Sequence, residues 1–152
     1  MFDKFNREIT YLRISVTDRC NLRCIYCMPE CGVEAMSHDK VIRFEEIVEV
    51  VKAAVSIGIS KFRITGGEPL VRKGIVSLVK MINEVPGVKE LVMTTNGILL
   101  EKYAEELAAA GMGRVNVSLD TIDPEEYRKI TRVGSLEQVF KGLQAAEKYG
   151  LT

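Results

Sequence analysis

Apolar and polar side chains alternate along four short segments of the chain, and a stretch with helical periodicity follows each of them. In the first segment, Leu12, Ile14 and Val16 share one face, whereas polar side chains occupy the other face. Strict alternation of this kind predicts a β-strand that buries one face. The predicted strands span residues 11–17, 61–65, 91–95 and 114–119.

Three helices are predicted where apolar residues recur every three or four positions. The first begins at Phe44 and is expected to end at Gly58, because glycine favours the backbone conformation that closes a helix. The next two span about residues 74–85 and 100–110, and glycine or proline follows each of them. Each of these helices therefore separates two predicted strands.

Two further helices are predicted by residues that are typical of helix starts. Asp123 followed by Pro124 predicts a short helix, since aspartate caps the first turn and proline suits its first position. A capping box that begins at Ser135 predicts a longer helix to about Tyr149.

The alternation of strands and helices predicts a parallel sheet with right-handed crossovers. Crossovers of one hand place every helix on the same side of the sheet, so the polar strand faces point together to the other side. A sheet of this kind curls into a barrel or part-barrel. We therefore predict one α/β domain over residues 1–152, an incomplete (βα) part-barrel of about four parallel units. A one-layer sheet whose polar face meets solvent or a partner is the alternative.

Polar side chains on the predicted inner face suggest a wet, partly basic chamber. These inner positions are Arg13, Ser15, Lys61, Arg63, Val92, Thr94, Asn116, Ser118 and Asp120. Arg13, Lys61 and Arg63 are expected to form a cationic patch that could grip a triphosphate or a carboxylate.

The remaining segments carry weaker signals. Residues 32–43 are predicted to be irregular, and their histidine, His38, is interpreted as solvated rather than functional. Leu151 and Thr152 resemble the start of a fifth strand. We therefore expect the chain to be the N-terminal part of a longer protein.

Net charge and hydropathy narrow the class of protein. Lys plus Arg equals Asp plus Glu, at 21 each, so the protein is not expected to bind nucleic acid by bulk charge. No apolar run reaches the roughly 20 residues of a membrane span, and the N-terminus has no apolar signal core. These features predict a cytoplasmic protein whose thiols are reduced.

All four cysteines, Cys20, Cys24, Cys27 and Cys31, fall in one loop after the first strand. Disulfide frameworks spread their cysteines to connect distant segments, whereas a metal centre needs thiolates that converge. A four-cysteine zinc site normally consists of two separated Cys-x-x-Cys pairs, and only one such pair is present here. A ferredoxin run has different gaps and ends in Cys-Pro. In the third interpretation, the first three cysteines hold a four-iron cluster that leaves one iron open.

The spacing Cys-x-x-x-Cys-x-x-Cys, with Tyr26 before the last cysteine, resembles the radical S-adenosylmethionine superfamily. The Gly-Gly-Glu-Pro sequence after the second strand strengthens this likeness. Within the superfamily, the chain resembles the GTP 3′,8-cyclases of molybdenum cofactor biosynthesis over nearly its whole length. The matching segments are residues 11–21, 27–30, 63–72, 94–97 and 116–120.

The resemblance implies a lyase that uses a 4Fe-4S cluster and S-adenosylmethionine. The cluster would reduce the bound sulfonium, and the resulting 5′-deoxyadenosyl radical would take the hydrogen from C3′ of GTP. The ribose radical would then attack C8 of guanine and give 3′,8-cyclo-7,8-dihydro-GTP. The implied cluster ligands are Cys20, Cys24 and Cys27, the S-adenosylmethionine contacts are Tyr26, Gly67 and Ser118, and the GTP contacts are Arg13, Arg63 and Thr94. Lys61 is a weaker GTP candidate.

Two departures from the family pattern qualify this interpretation. Cys31 is not part of the family motif, and we interpret it as a free thiol. The cysteines of the family's second 4Fe-4S cluster, which lie in a C-terminal region that binds guanine, are missing from this sequence. We therefore expect that the chain alone does not complete the cyclisation.

The family also implies partners: a reductant such as a flavodoxin or ferredoxin, and a downstream cyclic pyranopterin monophosphate synthase. A homodimer is also possible.

Two alternative functions are kept. One is another radical S-adenosylmethionine enzyme that modifies a peptide, and the other is a 4Fe-4S electron carrier that uses all four cysteines.

Overall fold

The computed structural model describes residues 2–34, 37 and 41–151, and within them the chain forms one parallel four-stranded sheet covered by helices. The strands are β1 (Tyr11–Ser15), β2 (Lys61–Thr65), β3 (Glu90–Thr95) and β4 (Arg114–Val117), and they pair in that order. The helices are α1 (Phe44–Ser56), α2 (Ile75–Asn83), α3 (Leu100–Ala109), α4 (Pro124–Thr131) and α5 (Leu136–Lys148), with a short 3-10 turn at Pro69–Val71. The predicted parallel α/β fold is confirmed.

Two predicted strands are longer than those observed, at their carboxyl ends. β1 ends at Ser15 rather than at residue 17, and β4 ends at Val117 rather than at residue 119. The first residue beyond each end, Val16 or Ser118, still donates its main-chain N–H to the neighbouring strand at 2.9 Å, and the chain then turns towards neighbouring loops. Thr17, for example, accepts the main-chain N–H of Gly67 at 2.7 Å. The polar residues that follow both strands therefore belong to the edge of the sheet where the site forms.

The predicted helix starts agree with the structure except for one capping interaction. Asp123 caps α4, because its carboxylate accepts the main-chain N–H of Glu126 at 2.8 Å. Ser135 stands at the N-cap of α5, but its side chain makes no capping hydrogen bond, so the predicted capping box is wrong. The burial of Leu136 and Val139 anchors this end of α5 instead.

The hydrophobic core lies between the apolar strand faces and helices α1 to α3. Phe62, Ile64 and Met93 are fully buried at its centre. Their helical neighbours in the core include Ile47, Val51, Leu78, Ile82, Leu100 and Leu107. Burial of one such side chain stabilises the fold by about 1.5–3 kcal/mol. The core thus fixes the sheet that carries the site on its opposite face and carboxyl edge.

Some sequence-based predictions fall on residues outside the described part of the chain. His38 and Thr152 are two of these, so the solvated histidine and the fifth strand are not tested. Leu151 is buried, and its N–H bonds to the carbonyl of Ala146 at 2.9 Å. Among the described residues, no helix combines the length and the apolar character that a membrane span requires.

Candidate functional site

The loops that leave the carboxyl ends of the strands are joined to one another by main-chain hydrogen bonds. The loop after β2 reaches the cysteine loop, where Glu68 N–H donates to the carbonyl of Arg19 at 2.8 Å. The segment after β4 is joined to β3, because Ser118 N–H donates to the carbonyl of Thr95 at 2.9 Å. Candidate residues that are distant in sequence therefore meet along one edge of the sheet, as expected for parallel α/β folds.

Gly66 and Gly67 allow the loop after β2 to pack directly on the backbone of the cysteine loop. A Cβ at Gly67 would lie 2.3 Å from the carbonyl oxygen of Arg19, and one at Gly66 would lie 2.5 Å from that of Thr17. Gly66 also has a φ of +149°, which disfavours other residues. The sequence predicted that Gly67 admits a ligand, but the atoms that crowd it here belong to the protein itself. Its contact with S-adenosylmethionine stays a prediction.

Glu68 is fully buried between the ends of β2 and β3. Its carboxylate accepts hydrogen bonds from Leu70 N–H at 3.0 Å, from the Thr95 hydroxyl at 2.8 Å and from Asn96 N–H at 2.7 Å. Burial raises the pKa of Glu68 in spite of these bonds. Nothing in the local sequence predicts this burial, because an acidic side chain in a glycine- and proline-rich turn is usually solvent-exposed.

The cysteine loop folds back on itself as a tight turn. The main-chain N–H groups of Cys27 and Met28 both donate to the carbonyl of Cys24, at 2.9 and 3.0 Å. Cys20 and Cys24 are half-buried, whereas Cys27 is exposed. Burial raises the pKa of the Cys20 thiol, and the charges of Glu68 and Cys27 raise it further. Burial also raises the pKa of the Cys24 thiol, together with the charges of Cys20, Cys27 and Asp120. The cysteine loop thus carries two partly buried thiols and one exposed thiol.

The thiols are not gathered at one point as a single metal ion would require, whereas a 4Fe-4S cluster binds each thiolate at a different iron. Within residues 2–34, 37 and 41–151, no three Cys, His, Asp or Glu side chains are grouped so that they could hold a metal ion. Cys31, which we interpreted as a free thiol, is exposed and lies next to Gly32, whose carbonyl its Sγ approaches at 3.5 Å.

The turn that follows α4 holds the cysteine loop from the other side. The main-chain N–H of Arg23 donates to the carbonyl of Thr131 at 3.1 Å. The Arg132 guanidinium donates through Nη1 to the carbonyls of Arg23 and Met28, at 2.8 and 3.0 Å. Arg132 adopts a φ of +64°, which is uncommon for a residue with a side chain. This contact was missed, because nothing in the local sequence links Arg132 to a loop about 100 residues earlier.

Tyr26 connects the cysteine loop to the end of β4. Its hydroxyl donates to Asp120 Oδ2 at 2.7 Å, and this hydrogen bond raises the pKa of Tyr26 strongly. The Tyr26 side chain is otherwise 68 % exposed. Ser118 lies two residues before Asp120 on the same segment, so the structure brings two of the predicted S-adenosylmethionine contacts to neighbouring loops.

The polar face of the sheet places Arg13 and Arg63 side by side, because they are register partners on β1 and β2. Arg63 Nη1 donates to the Thr94 hydroxyl at 3.4 Å, and its guanidinium carbon lies 5.8 Å from the centre of the Tyr11 ring. Arg63 Nε is buried and has no hydrogen-bond partner among the described residues. The three predicted GTP contacts therefore lie on one wall.

Lys61 differs from these residues because it forms an ion pair. Its Nζ lies 3.5 Å from Glu90, and the guanidinium of Arg114 lies 2.9 Å from the same carboxylate. Lys61 is the first residue of β2 and thus lies at the end of the strand away from the cysteine loop. Glu90 therefore adds a carboxylate beside the expected cationic patch and shares it between Lys61 and Arg114, and the role of Lys61 in binding a ligand stays a prediction.

The family model of the Radical SAM superfamily matches residues 14–152. The chain belongs to the Radical SAM superfamily. The predicted resemblance is thereby confirmed, and membership implies a 4Fe-4S cluster and S-adenosylmethionine. The donor set fits such a cluster, because one folded-back loop supplies three thiols and Cys20 Sγ already accepts the main-chain N–H of Leu22 at 3.4 Å.

Eight curated relatives, 50–56 % identical to this chain, are all named GTP 3′,8-cyclase. The chain is 55 % identical to the GTP 3′,8-cyclase of Peptoclostridium acidaminophilum over 152 residues, which cover 100 % of this chain and 47 % of that protein. It is 56 % identical to that of Heliobacterium modesticaldum over 146 residues, or 96 % of this chain and 45 % of the relative. The chain thus spans about half the length of the curated relatives it matches.

Solved structures of Radical SAM enzymes share the fold. SuiB of Streptococcus suis bound to its precursor peptide SuiA superimposes with a TM-score of 0.78 and 22 % identity, over 94 % of this chain and 31 % of that one. Methylornithine synthase superimposes with a TM-score of 0.73 and 20 % identity, over 92 % of this chain and 42 % of the other. At such identities the likeness supports the part-barrel fold alone.

Proposed function

We propose that this chain carries the radical-generating part of a GTP 3′,8-cyclase that acts in molybdenum cofactor biosynthesis. The observation that carries the proposal is the arginine pair, Arg13 beside Arg63, on the wall next to the cysteine loop. Relatives more than 50 % identical over the whole chain, all named GTP 3′,8-cyclase, support the same substrate.

Cys20, Cys24 and Cys27 are the proposed ligands of a 4Fe-4S cluster. The cluster would supply the electron that cleaves S-adenosylmethionine to a 5′-deoxyadenosyl radical. The protein's part is to hold three thiolates on one turn, which hydrogen bonds from Cys27 and Met28 to the Cys24 carbonyl stabilise. Three ligands leave one iron free for S-adenosylmethionine, which offers an amine and a carboxylate.

Tyr26, Gly67 and Ser118 are the proposed contacts of S-adenosylmethionine. Support comes from the bond between Tyr26 and Asp120, which joins the cysteine loop to the segment that contains Ser118. Gly67 lies on the loop that packs against the cysteine loop. A ligand bound at the open iron would therefore be within reach of all three segments.

Arg13, Arg63 and Thr94 are the proposed contacts of the GTP triphosphate. Neighbouring parallel strands lie about 4.8 Å apart, so two arginines in register repel each other. An anion between them would relieve that repulsion and form charge-assisted hydrogen bonds. The Arg63 Nε group, which is buried and unpartnered within the described residues, could donate to such an anion.

The cellular location and the protein partners complete the proposal. Because the exposed thiols of Cys27 and Cys31 must stay reduced, we place the protein in the cytoplasm. A flavodoxin or ferredoxin would supply the electron, and cyclic pyranopterin monophosphate synthase would act on the product.

The proposal is tested by the binding of labelled GTP to the anaerobically reconstituted full-length protein. Arg63→Ala should weaken binding by about 10-fold or more, since a hydrogen bond to a charged group contributes about 1.5–3 kcal/mol. Lys141→Ala is the matched control, because Lys141 is an exposed cation on α5 that pairs with Glu137. Unchanged GTP affinity in Arg63→Ala would contradict the assignment and favour a peptide substrate.

A further inference from the structure

The side-chain amide of Asn96 lies beside the sulfur of Cys20, and its other hydrogen bonds fix which end of the amide faces that sulfur. Asn96 Oδ1 accepts the main-chain N–H of Ile98 at 3.1 Å. Nδ2 therefore points the other way, where it donates to Asn21 Oδ1 at 2.8 Å and to Cys20 Sγ at 3.8 Å. The two hydrogens of Nδ2 supply the bonds to Asn21 and to Cys20. In a reversed amide, Nδ2 would face the N–H of Ile98 and Oδ1 would face Asn21 Oδ1, so the present hydrogen bonds would be lost.

The backbone of Asn96 is held as firmly as its side chain. Its N–H donates to Glu68 Oε2 at 2.7 Å, and the Glu68 side chain is fully buried. The residue before it, Thr95, donates its hydroxyl to the same carboxylate at 2.8 Å. The residue after it, Gly97, has a φ of +83°, which keeps the turn tight. Asn96 is thus fixed at an orientation in which its donor faces the cysteine loop.

We propose that Asn96 is a positioning residue for the iron–sulfur cluster. It donates an N–H···S hydrogen bond to the Cys20 thiolate, holds that ligand in place and raises the reduction potential of the cluster. The inference rests on the proposed function, because it requires a cluster on Cys20. A donor directed at a ligand sulfur withdraws negative charge, so it stabilises the reduced, more negative cluster.

Cys20 has a second donor, and this shapes the expected effect of a substitution. The main-chain N–H of Leu22 lies 3.4 Å from the same sulfur and is present whatever side chain occupies position 22. Of these two donors to the Cys20 sulfur, the Asn96 amide is therefore the one that a substitution can remove. Its removal leaves three thiolate ligands in place and shifts the potential downwards, without loss of iron.

Two substitutions and one control test the inference on anaerobically reconstituted protein, by redox titration of the cluster. Asn96→Leu removes the donor, and Asn96→Asp keeps the acceptor for Ile98 while it replaces Nδ2 with a charged oxygen. Both should lower the midpoint potential, Asn96→Asp further than Asn96→Leu. Asn83→Asp makes the same chemical change at the exposed end of α2 and should leave the potential unchanged.

A second measurement does not depend on the folding of the Asn96 variants. In wild-type protein labelled with ¹⁵N in the asparagine side chains, the reduced cluster should show a ¹⁵N hyperfine coupling, which persists in Asn21→Asp. An unchanged potential in Asn96→Leu, or no coupling in cluster-loaded wild-type protein, would overturn the inference while the proposed function stands. Failure of wild-type protein to bind iron at all would overturn both.

Discussion

Gly67 lies directly against the carbonyl of Arg19, so close that a Cβ at position 67 would come within 2.3 Å of that oxygen. The loop after β2 and the cysteine loop therefore meet backbone to backbone. Gly67→Ala should force them apart, lower the free energy of unfolding by about 1–3 kcal/mol and abolish S-adenosylmethionine binding. Denaturant unfolding and equilibrium binding would measure the two effects.

The matched control for this substitution is Gly113→Ala. Apart from Gly113 and its two chain neighbours, no residue has an atom within 4 Å of a Cβ built at this position, which precedes β4. Its free energy of unfolding should change by no more than about 0.5 kcal/mol. Equal effects of the two substitutions would contradict the packing argument.

Arg132 should matter for the retention of iron, although it lies more than 100 residues from the cysteines in sequence. Arg132→Leu removes hydrogen bonds to the carbonyls of Arg23 and Met28, each of which should contribute about 1.5–3 kcal/mol because the donor is charged. We expect faster transfer of iron from the reconstituted protein to a chelator. Arg128→Leu removes an exposed cation one turn earlier in α4 and should lose iron at the wild-type rate.

Cys31 should be dispensable for the cluster. It is exposed and lies outside the turn formed by Cys24 and Cys27, so Cys31→Ala should retain full iron content and an unchanged spectrum. Cys24→Ala should lose the cluster, because it removes a ligand. Loss of iron in Cys31→Ala would instead favour a four-cysteine electron carrier.

The buried carboxyl of Glu68 should make stability depend on pH. Burial raises its folded-state pKa above the value of 4.5 that applies to the unfolded chain. The folded state then binds the proton more tightly, so this contribution to stability is complete below pH 4.5 and is lost as the pH rises through the folded-state pKa. Each unit of pKa difference corresponds to about 1.4 kcal/mol.

Glu68→Gln removes that titration and is the comparison that isolates it. Its amide nitrogen would face the N–H of Asn96, so the variant should also be less stable by about 1–3 kcal/mol. The stability difference between wild-type protein and Glu68→Gln, measured by urea unfolding without iron, should shrink between pH ~5 and pH ~8. A difference that grows over this interval would contradict the raised pKa.

The sequence was sufficient for the architecture because the relevant signals are local. Alternation at Leu12 and Ile14 predicted a strand with one buried face, and the strand–helix order predicted the parallel sheet. Parallel pairing then places the carboxyl ends of the strands at one edge. The meeting of the cysteine loop with the loop of Gly67 and with the segment after β4 follows from this geometry, without knowledge of any side-chain position.

Contacts that depend on tertiary placement were not predictable in this way. Glu68 is fully buried, and it accepts hydrogen bonds from β3 and from its own turn. Its local sequence suggests exposure instead. The ion pair of Lys61 with Glu90 requires the register of β2 with β3. Ser135 lies in a sequence typical of a capping box, but its side chain makes no capping hydrogen bond. Local propensity makes such a bond possible and does not ensure that it forms.

We propose above all that Cys20, Cys24 and Cys27 hold a four-iron cluster with one open iron, beside a wall that carries Arg13 and Arg63. The most direct test is the electron paramagnetic resonance spectrum of the reduced, reconstituted protein, recorded before and after the addition of S-adenosylmethionine. The account predicts a cluster signal that changes shape when S-adenosylmethionine binds. A cluster signal that is identical with and without S-adenosylmethionine would contradict it.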